Sequence, residues 1–299
     1  MSGRDIHIVL RRGALRLGLA CLVLRSLSTA QPMPVPKPVP YPTQSLMGFS
    51  FAQATSSNWT QGEADFLTTK FYCRLRRQDS LGFLVARTVG TMDLGATYRD
   101  DSVALNRVRV ADNEIFGELQ ILYPLHWLVD PYVATNLRTP VTESFQYLGL
   151  TRCRTSSLWN PVTTMQSAGL SFDAGGAFAF FTARAGFALQ QIRAHDQWLM
   201  TDDPATPEIR ELYRARSGIE LVAETQLHHD STLTCNGRFG AFGSFNDLGS
   251  WTVHYDNEMR LRVWNYFGLT WTLNVLCDPR QNVHTQFKQS FMIGVVGGI

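Results

Sequence analysis

The chain has 299 residues, 44% of them hydrophobic, and a formal net charge of +2. Its longest apolar run, at 17–24, falls far short of the roughly 17–25 residues that a membrane-crossing helix needs, which excludes a helical span. The near-neutral charge argues against a nucleic-acid binder with a general basic field, while the length suits a single barrel.

The first thirty residues carry the layout of a secretory signal. Arg4, Arg11, Arg12 and Arg16 form a basic region, the short apolar run follows, and Ser28, Thr29 and Ala30 supply small residues at a cleavage point after Ala30. Cleavage there removes five arginines and one aspartate and turns the net charge from +2 to −2. Cys73, Cys153, Cys235 and Cys277 then remain, scattered singly and without metal-ligand spacing. Cys73, Cys235 and Cys277 fall on oily faces of predicted strands and read as small apolar fillers. No cofactor or metal is expected.

Proline occupies alternate positions from 32 to 42. Such a segment cannot join a sheet and is expected to form an extended tether, so 31–45 reads as a proline-rich arm in the periplasm and 46–299 as the folded domain.

From Leu46 onward the chain breaks into strand-length runs separated by turn residues, with no extended helical period. Strands are predicted at 46–55, 66–77, 81–94, 105–123, 130–139, 165–174, 177–193, 216–228, 232–245, 251–264, 267–277 and 283–297. Many exceed ordinary soluble strands and reach the roughly 9–11 residues that cross hydrocarbon at a tilt. Their connections alternate: 78–80, 124–129, 173–176, 229–231 and 265–266 are tight, whereas 55–65, 95–104, 140–164, 194–215, 246–250 and 278–282 are on the whole longer. Short turns at one end and long loops at the other are the pattern of an outer-membrane barrel. The expected fold is therefore all-β, an antiparallel transmembrane β-barrel of about 12 strands in an up-and-down meander. An even strand number returns both termini to the periplasmic side.

The clearest period-two segment is 251–277. Trp251, Val253, Tyr255, Met259, Leu261 and Val263 share one face, and His254, Asp256, Glu258, Arg260 and Arg262 share the other. Tyr123, Trp127, Trp264, Tyr266 and Phe267 flank tight turns, where an amphipathic ring is stable at headgroup depth.

Short motifs then carry a likeness. The run Phe49-Ser50-Phe51-Ala52-Gln53-Ala54 is followed by Ser57-Asn58-Trp59 and Gly62, and Leu158-Trp159-Asn160-Pro161 lies at the end of a long loop. Val275-Leu276-Cys277-Asp278, Gln286-Phe287-Lys288 and Ile293-Gly294-Val295 form a closing hairpin. Over about 46–299 the chain resembles a domain-of-unknown-function family of Gram-negative outer-membrane β-barrel proteins. The resemblance implies an outer-membrane location and no known activity. The chain departs from that family in ending Val296-Gly297-Gly298-Ile299 rather than in an aromatic residue, and in its shorter loops.

Function is expected on two surfaces. Glu220, Glu224, Arg238, His254, Asp256, Glu258, Arg260, Arg262 and Lys288 are expected to line the lumen, where charges of both signs must pair or meet water and where a polar conduit would select its solute. The long loops, of which 194–215 is acidic and broken by proline, are the other candidate, as a binding surface. A metal or acid/base cluster of His254, Asp256 and Glu258 competes poorly, because Arg260 and Arg262 are nearer partners for the carboxylates. An outer-membrane lipase would need His and Ser on the lipid-facing wall, which supplies almost none, so no enzymatic activity is expected. The competing fold is a soluble secreted β-sandwich serving as a binding module. Expected partners are outer-membrane lipids, the barrel-assembly machinery during biogenesis and a small solute or surface ligand, with no nucleic acid.

Overall fold

The computed structural model describes residues 41, 43–54, 66–99, 108–125, 127–148, 151–176, 178–195, 211–229, 232–264, 266–279 and 285–298. The expected signal segment and residues 31–40 and 42 of the tether lie outside the described residues.

The strands are β1 (Gln44–Ala54), β2 (Phe66–Leu81), β3 (Leu84–Arg99), β4 (Val108–Leu122), β5 (Asp130–Thr139), β6 (Ser144–Leu148), β7 (Thr151–Ser156), β8 (Val162–Gly175), β9 (Ala179–Arg193), β10 (Tyr213–His229), β11 (Leu233–Ser244), β12 (Asp247–Arg262), β13 (Phe267–Cys277) and β14 (Gln286–Gly298). Twelve of them pair antiparallel, each with its neighbour in sequence, and β14 returns to β1 to close the sheet; β6 and β7 form a separate hairpin between β5 and β8. Closure through Leu46↔Gly298 to Phe51↔Ile293 leaves no free edge. The sandwich alternative is thereby overturned, because the twelve long strands close one sheet on itself and, among the described residues, the other sheet is only the two-stranded β6–β7 hairpin.

Side chains alternate across this sheet in the sense opposite to a soluble protein. Outward positions carry Phe49, Phe51, Val133, Leu170, Phe187, Phe291 and Ile293, with Val133 at 61% and Phe187 at 72% exposure. Inward positions carry the charges, with Glu220 at 1% and Glu224 at 3%. The half-buried, free cysteines Cys73 and Cys235 sit on the outward rows, opposite Met92 and Met259 respectively, and Cys277 is also free and half-buried. The side chain of Cys153 lies outside the described residues.

The tight-turn end bears exposed Phe83, Tyr123, Trp127, Phe178, Trp264, Tyr266 and Phe267. All five aromatics picked from the sequence are in this ring, and Phe83 meets Tyr123 edge-on at 6.0 Å.

Several expected boundaries move; β3, for one, runs on to Arg99 inside the expected loop 95–104. The turn placed at 78–80 lies instead at Gly82 and Phe83, because Gly82 takes φ +65°, which closes Leu81 onto Leu84 and lets Gln78–Ser80 continue the ladder. Asp173 belongs to β8, and the following turn is closed by Gly176 N donating to Ala179 O at 2.8 Å. The loop placed at 246–250 is a tight turn, with a register shift at Gly243/Ser244 absorbing the mismatch and β12 starting at Asp247. The loop at 140–164 contains the β6–β7 hairpin and the first residues of β8. At the other end of the chain, Gln44 and Ser45, counted in the tether, already pair in β1.

Asn113 moors that hairpin to the rim of the barrel. Its amide nitrogen donates to Thr142 O, Ser144 Oγ and Ser156 Oγ at 2.6, 2.8 and 3.1 Å, and its Oδ1 accepts from the backbone of Val141 and Thr142, both at 2.8 Å. Asn113→Ala removes these contacts. Limited proteolysis of N113A is expected to cut within 140–161 several times faster than in the parent, since local opening free energy falls with the lost bonds. Unchanged cleavage would show that the anchor lies elsewhere.

Candidate functional site

The lumen is built from the inward parity of each strand. β2 supplies Lys70, Tyr72, Arg74 and Arg76; β3 supplies Arg87, Val89, Thr91 and Asp93; β4 supplies Asp112, Glu114, Phe116, Glu118 and Gln120, brought into line through the pairs Gln78↔Arg87, Tyr72↔Asp93 and Asp93↔Glu114. From the far wall come Arg184 of β9, Glu220 and Glu224 of β10, Arg238 of β11 and the even positions of β12.

In the half nearer the tight turns, these side chains meet across the bore. Arg184 donates to both oxygens of Glu118 at 2.8 and 2.6 Å, and Arg238 adds a bond to Glu118 at 2.7 Å. Arg238 also pairs with Glu224, whose other oxygen lies 3.6 Å from Arg76; Arg184 reaches Glu220 at 3.4 Å. The forked guanidinium suits a two-oxygen acceptor, and each bond is strengthened by low local dielectric. The arginines are also stacked on inward aromatics: Arg238 lies 4.8 Å from the Phe116 ring centre and Arg184 5.5 Å from that of Tyr132.

Tyr41 completes the obstruction. It precedes β1, yet its ring is buried in the lumen, edge-on to Phe180 at 5.4 Å and beneath Arg87 at 4.8 Å. Arg87 is fixed in turn by Asp173 at 3.1 and 2.6 Å and by Gln78 at 2.9 Å. Burial first, and the Glu224 carboxylate second, push the Tyr41 phenol up to about 12. The ring therefore sits in the lumen as a neutral hydroxyl throughout the physiological range.

Toward the long connections the bore widens into a cavity of about 470 Å³ lined by Lys70, Arg74, Asp93, Glu114, Arg138, His254, Asp256, Glu258 and Lys288 among others. Its charges are paired around the wall. Lys70 meets Asp93 at 3.0 Å and Asp112 at 3.7 Å; Arg74 meets Asp93 at 2.9 Å and Glu258 at 3.3 Å. Arg138 meets Glu114 at 3.2 Å, and Lys288 meets Asp112 at 2.6 Å.

Of the nine lumen residues chosen from the sequence, Glu220, Glu224 and Arg238 join the obstruction, and His254, Asp256, Glu258 and Lys288 face the cavity. Arg260 pairs with Glu258 and lies 5.4 Å from the Tyr72 ring centre, whereas Arg262 is exposed at the tight-turn rim beside the end of β12. Arg262 is thus displaced from the expected lining, because its strand ends there.

His254, Asp256 and Glu258 share a strand face but not a partner. His254 Nδ1 lies 3.5 Å from Arg138, Asp256 accepts from Asn274 at 2.7 Å, and Glu258 is taken by Arg74 and Arg260. Among the described residues, no group of three His, Cys, Asp or Glu side chains is placed to hold a metal ion. Glu118, Arg184, Arg74 and Lys70 also enter the lumen, beyond the nine residues expected there. Their signal was present in the same alternation, most plainly in the Lys70, Tyr72, Arg74, Arg76 run of β2.

No family model and no curated protein matches the chain. Among solved structures it is similar to an outer membrane channel from Pseudomonas putida F1, at 9% identity over 87% of this chain and 97% of that one, with a TM-score of 0.39. The translocator domain of the autotransporter NalP from Neisseria meningitidis is similar at 9% identity over 96% and 97% of the two chains, with a TM-score of 0.37. The beta domain of the Bordetella autotransporter BrkA is similar at 11% identity over 86% and 99%, with a TM-score of 0.36. The fold class rests on the chain's own geometry: with an apolar wall outside, charges inside and no open edge, the twelve-stranded sheet is an antiparallel transmembrane β-barrel.

Proposed function

We propose that the protein is an outer-membrane β-barrel whose lumen is a narrow polar conduit, held shut by the ion pairs and the Tyr41 ring in the half nearer the tight turns. The observation that carries this reading is the contrast along one bore: a charged cavity of about 470 Å³ in one half, and Glu118, Arg184, Arg238 and Glu224 joined across the other. A barrel that only needed filling would close over its whole length, and apolar side chains would fill it at less desolvation cost. The outer-membrane location is supported by the apolar wall, the aromatic ring at the tight-turn end and the secretory layout of the first residues. On this reading the tight turns and both chain ends face the periplasm and the barrel-assembly machinery inserts the chain. The likeness to a domain-of-unknown-function barrel family belongs to the same reading, and no catalytic step is assigned.

Planar-bilayer recording tests it. The parent barrel is expected to stay in a low-conductance state, and the double variant Tyr41→Ala, Glu118→Ala to show frequent, resolved openings. A silent double variant that still shows the heat-dependent gel mobility of a folded barrel would refute the conduit.

A further inference from the structure

We propose that the long-connection rim between β8 and β10 carries a binding site for the phosphorylated sugar headgroup of a glycolipid in the surrounding leaflet. This rests on the outer-membrane reading above, with the long connections facing outward.

Arg193 is the last residue of β9 and pairs laterally with Val162 of β8 and Tyr213 of β10. Its parity is that of Phe181, Phe187 and Leu189, the exposed apolar column of the same strand, so it stands on the outer wall. Among the described residues it makes no ion pair. An unpaired guanidinium facing hydrocarbon would be costly, but at the end of the column its stem can lie on the apolar wall while its head reaches the polar layer.

An open recess of about 800 Å³ lies beside it, and Trp159, Leu158, Arg154 and His195 share its lining with Arg193. Trp159 is 54% and Leu158 61% exposed. They form the tip of a turn closed by reciprocal bonds between Ser157 and Asn160 at 2.9 and 3.0 Å, and Trp159 takes φ 58°, an unusual conformation for a bulky residue. Asn160 Oδ1 accepts from His195 N at 2.9 Å, which ties this turn to the start of the next connection. Arg154 leans on Glu143 at 3.4 Å.

Three chemistries therefore meet at one place: an indole face for a sugar ring, a guanidinium and an imidazole for a phosphate, and Leu158 above an apolar wall for acyl chains. A free sugar would leave the apolar wall unused, and a free phosphate would leave the indole unused. An amphiphile with a phosphorylated saccharide head uses all of them.

Native mass spectrometry of the full-length barrel in neutral detergent decides the matter, with diphosphorylated lipid A, its enzymatically dephosphorylated form and inorganic phosphate as the probes. The parent is expected to retain the phosphorylated form about fivefold better than the dephosphorylated one, and Arg193→Gln to lose about that factor, as befits one cation at a charged surface. Trp159→Ala is expected to weaken retention of both forms, and Arg193→Lys to keep most of the preference. Equal retention of the two forms by the parent, or an unchanged preference in R193Q, would overturn the proposal. Displacement of the glycolipid by millimolar inorganic phosphate would reduce the site to an ion site only and overturn it too. If R193Q does not fold, the parent's preference and the R193K result decide alone. Heat-dependent gel mobility is read in parallel, so that failure of the barrel reading shows as loss of the shift and not as loss of lipid.

Discussion

Glu118→Ala is expected to lower the stability of the folded barrel by about 3–5 kcal/mol, the usual cost of removing one partner from a buried charge cluster. The residue accepts from both Arg184 and Arg238, and its carboxylate is only 3% exposed. Without it, Arg184 keeps Glu220 at 3.4 Å as its ion pair, and Arg238 keeps Glu224. The loss is read as a lower urea midpoint of tryptophan fluorescence in detergent-solubilised barrel. Glu118→Gln separates charge from shape: it retains an oxygen acceptor but not the negative charge, and should lose most of the same stability. Replacing Glu118, Arg184 and Glu220 together by leucine should cost much less than Glu118→Ala, because Arg184 and its two carboxylates are then removed whole while Arg238 keeps Glu224. If E118A melts at the parent's urea concentration, the cluster is solvated and the obstruction is looser than the distances indicate.

Gly48→Val is expected to prevent a stable barrel from forming, and Gly48→Ala to destabilise it by about 1–3 kcal/mol, the range for overpacking a filled interior. The position is forced by contact: a Cβ on residue 48 would lie 2.2 Å from Cζ and 2.3 Å from the hydroxyl oxygen of Tyr72, its partner on the neighbouring strand. The ring is 2% exposed and flanked by Arg74 and Arg260, whose charges lie 5.6 and 5.4 Å from its centre. It has nowhere to go without parting Arg74 from Asp93 and Glu258. Tyr72→Ala in the Gly48→Ala background should recover part of the loss, while Tyr72→Ala alone should cost about 3–5 kcal/mol through the void it leaves. Refolding yield and heat-dependent mobility of the four proteins complete the cycle, and additive effects would contradict direct packing of ring on glycine.

The strands were legible because a membrane barrel writes its two faces into alternate residues. Phe267, Leu269, Trp271, Leu273 and Val275 can belong only to an apolar wall, and the same parity places His254, Asp256 and Glu258 inside. Two things were not legible. The hairpin β6–β7 is short and moored to the rim by an asparagine 31 residues from Ser144 and 43 from Ser156, so it lacks the length that marks a spanning strand. The cross-lumen pairs were hidden for a geometric reason. Glu118 and Arg184 are separated by 66 residues and sit on strands that are not neighbours in the sheet, so no ladder register connects them. Alternation tells which side chains enter the bore, but the tilt and circumference of the closed sheet decide which of them meet.

The seam between β1 and β14 holds six residue pairs among the described residues, against eleven between β1 and β2 and ten between β13 and β14. It is also the one junction whose partners lie at opposite ends of the chain, so its loop-closure entropy is the largest of any pair in the sheet. Every other junction joins strands that are much closer in sequence, while this one joins the first strand to the last. Barrel closure is therefore expected to come last in assembly, and the same thin, glycine-bearing junction at Gly48 and Gly294 is where a folded cylinder is expected to part first.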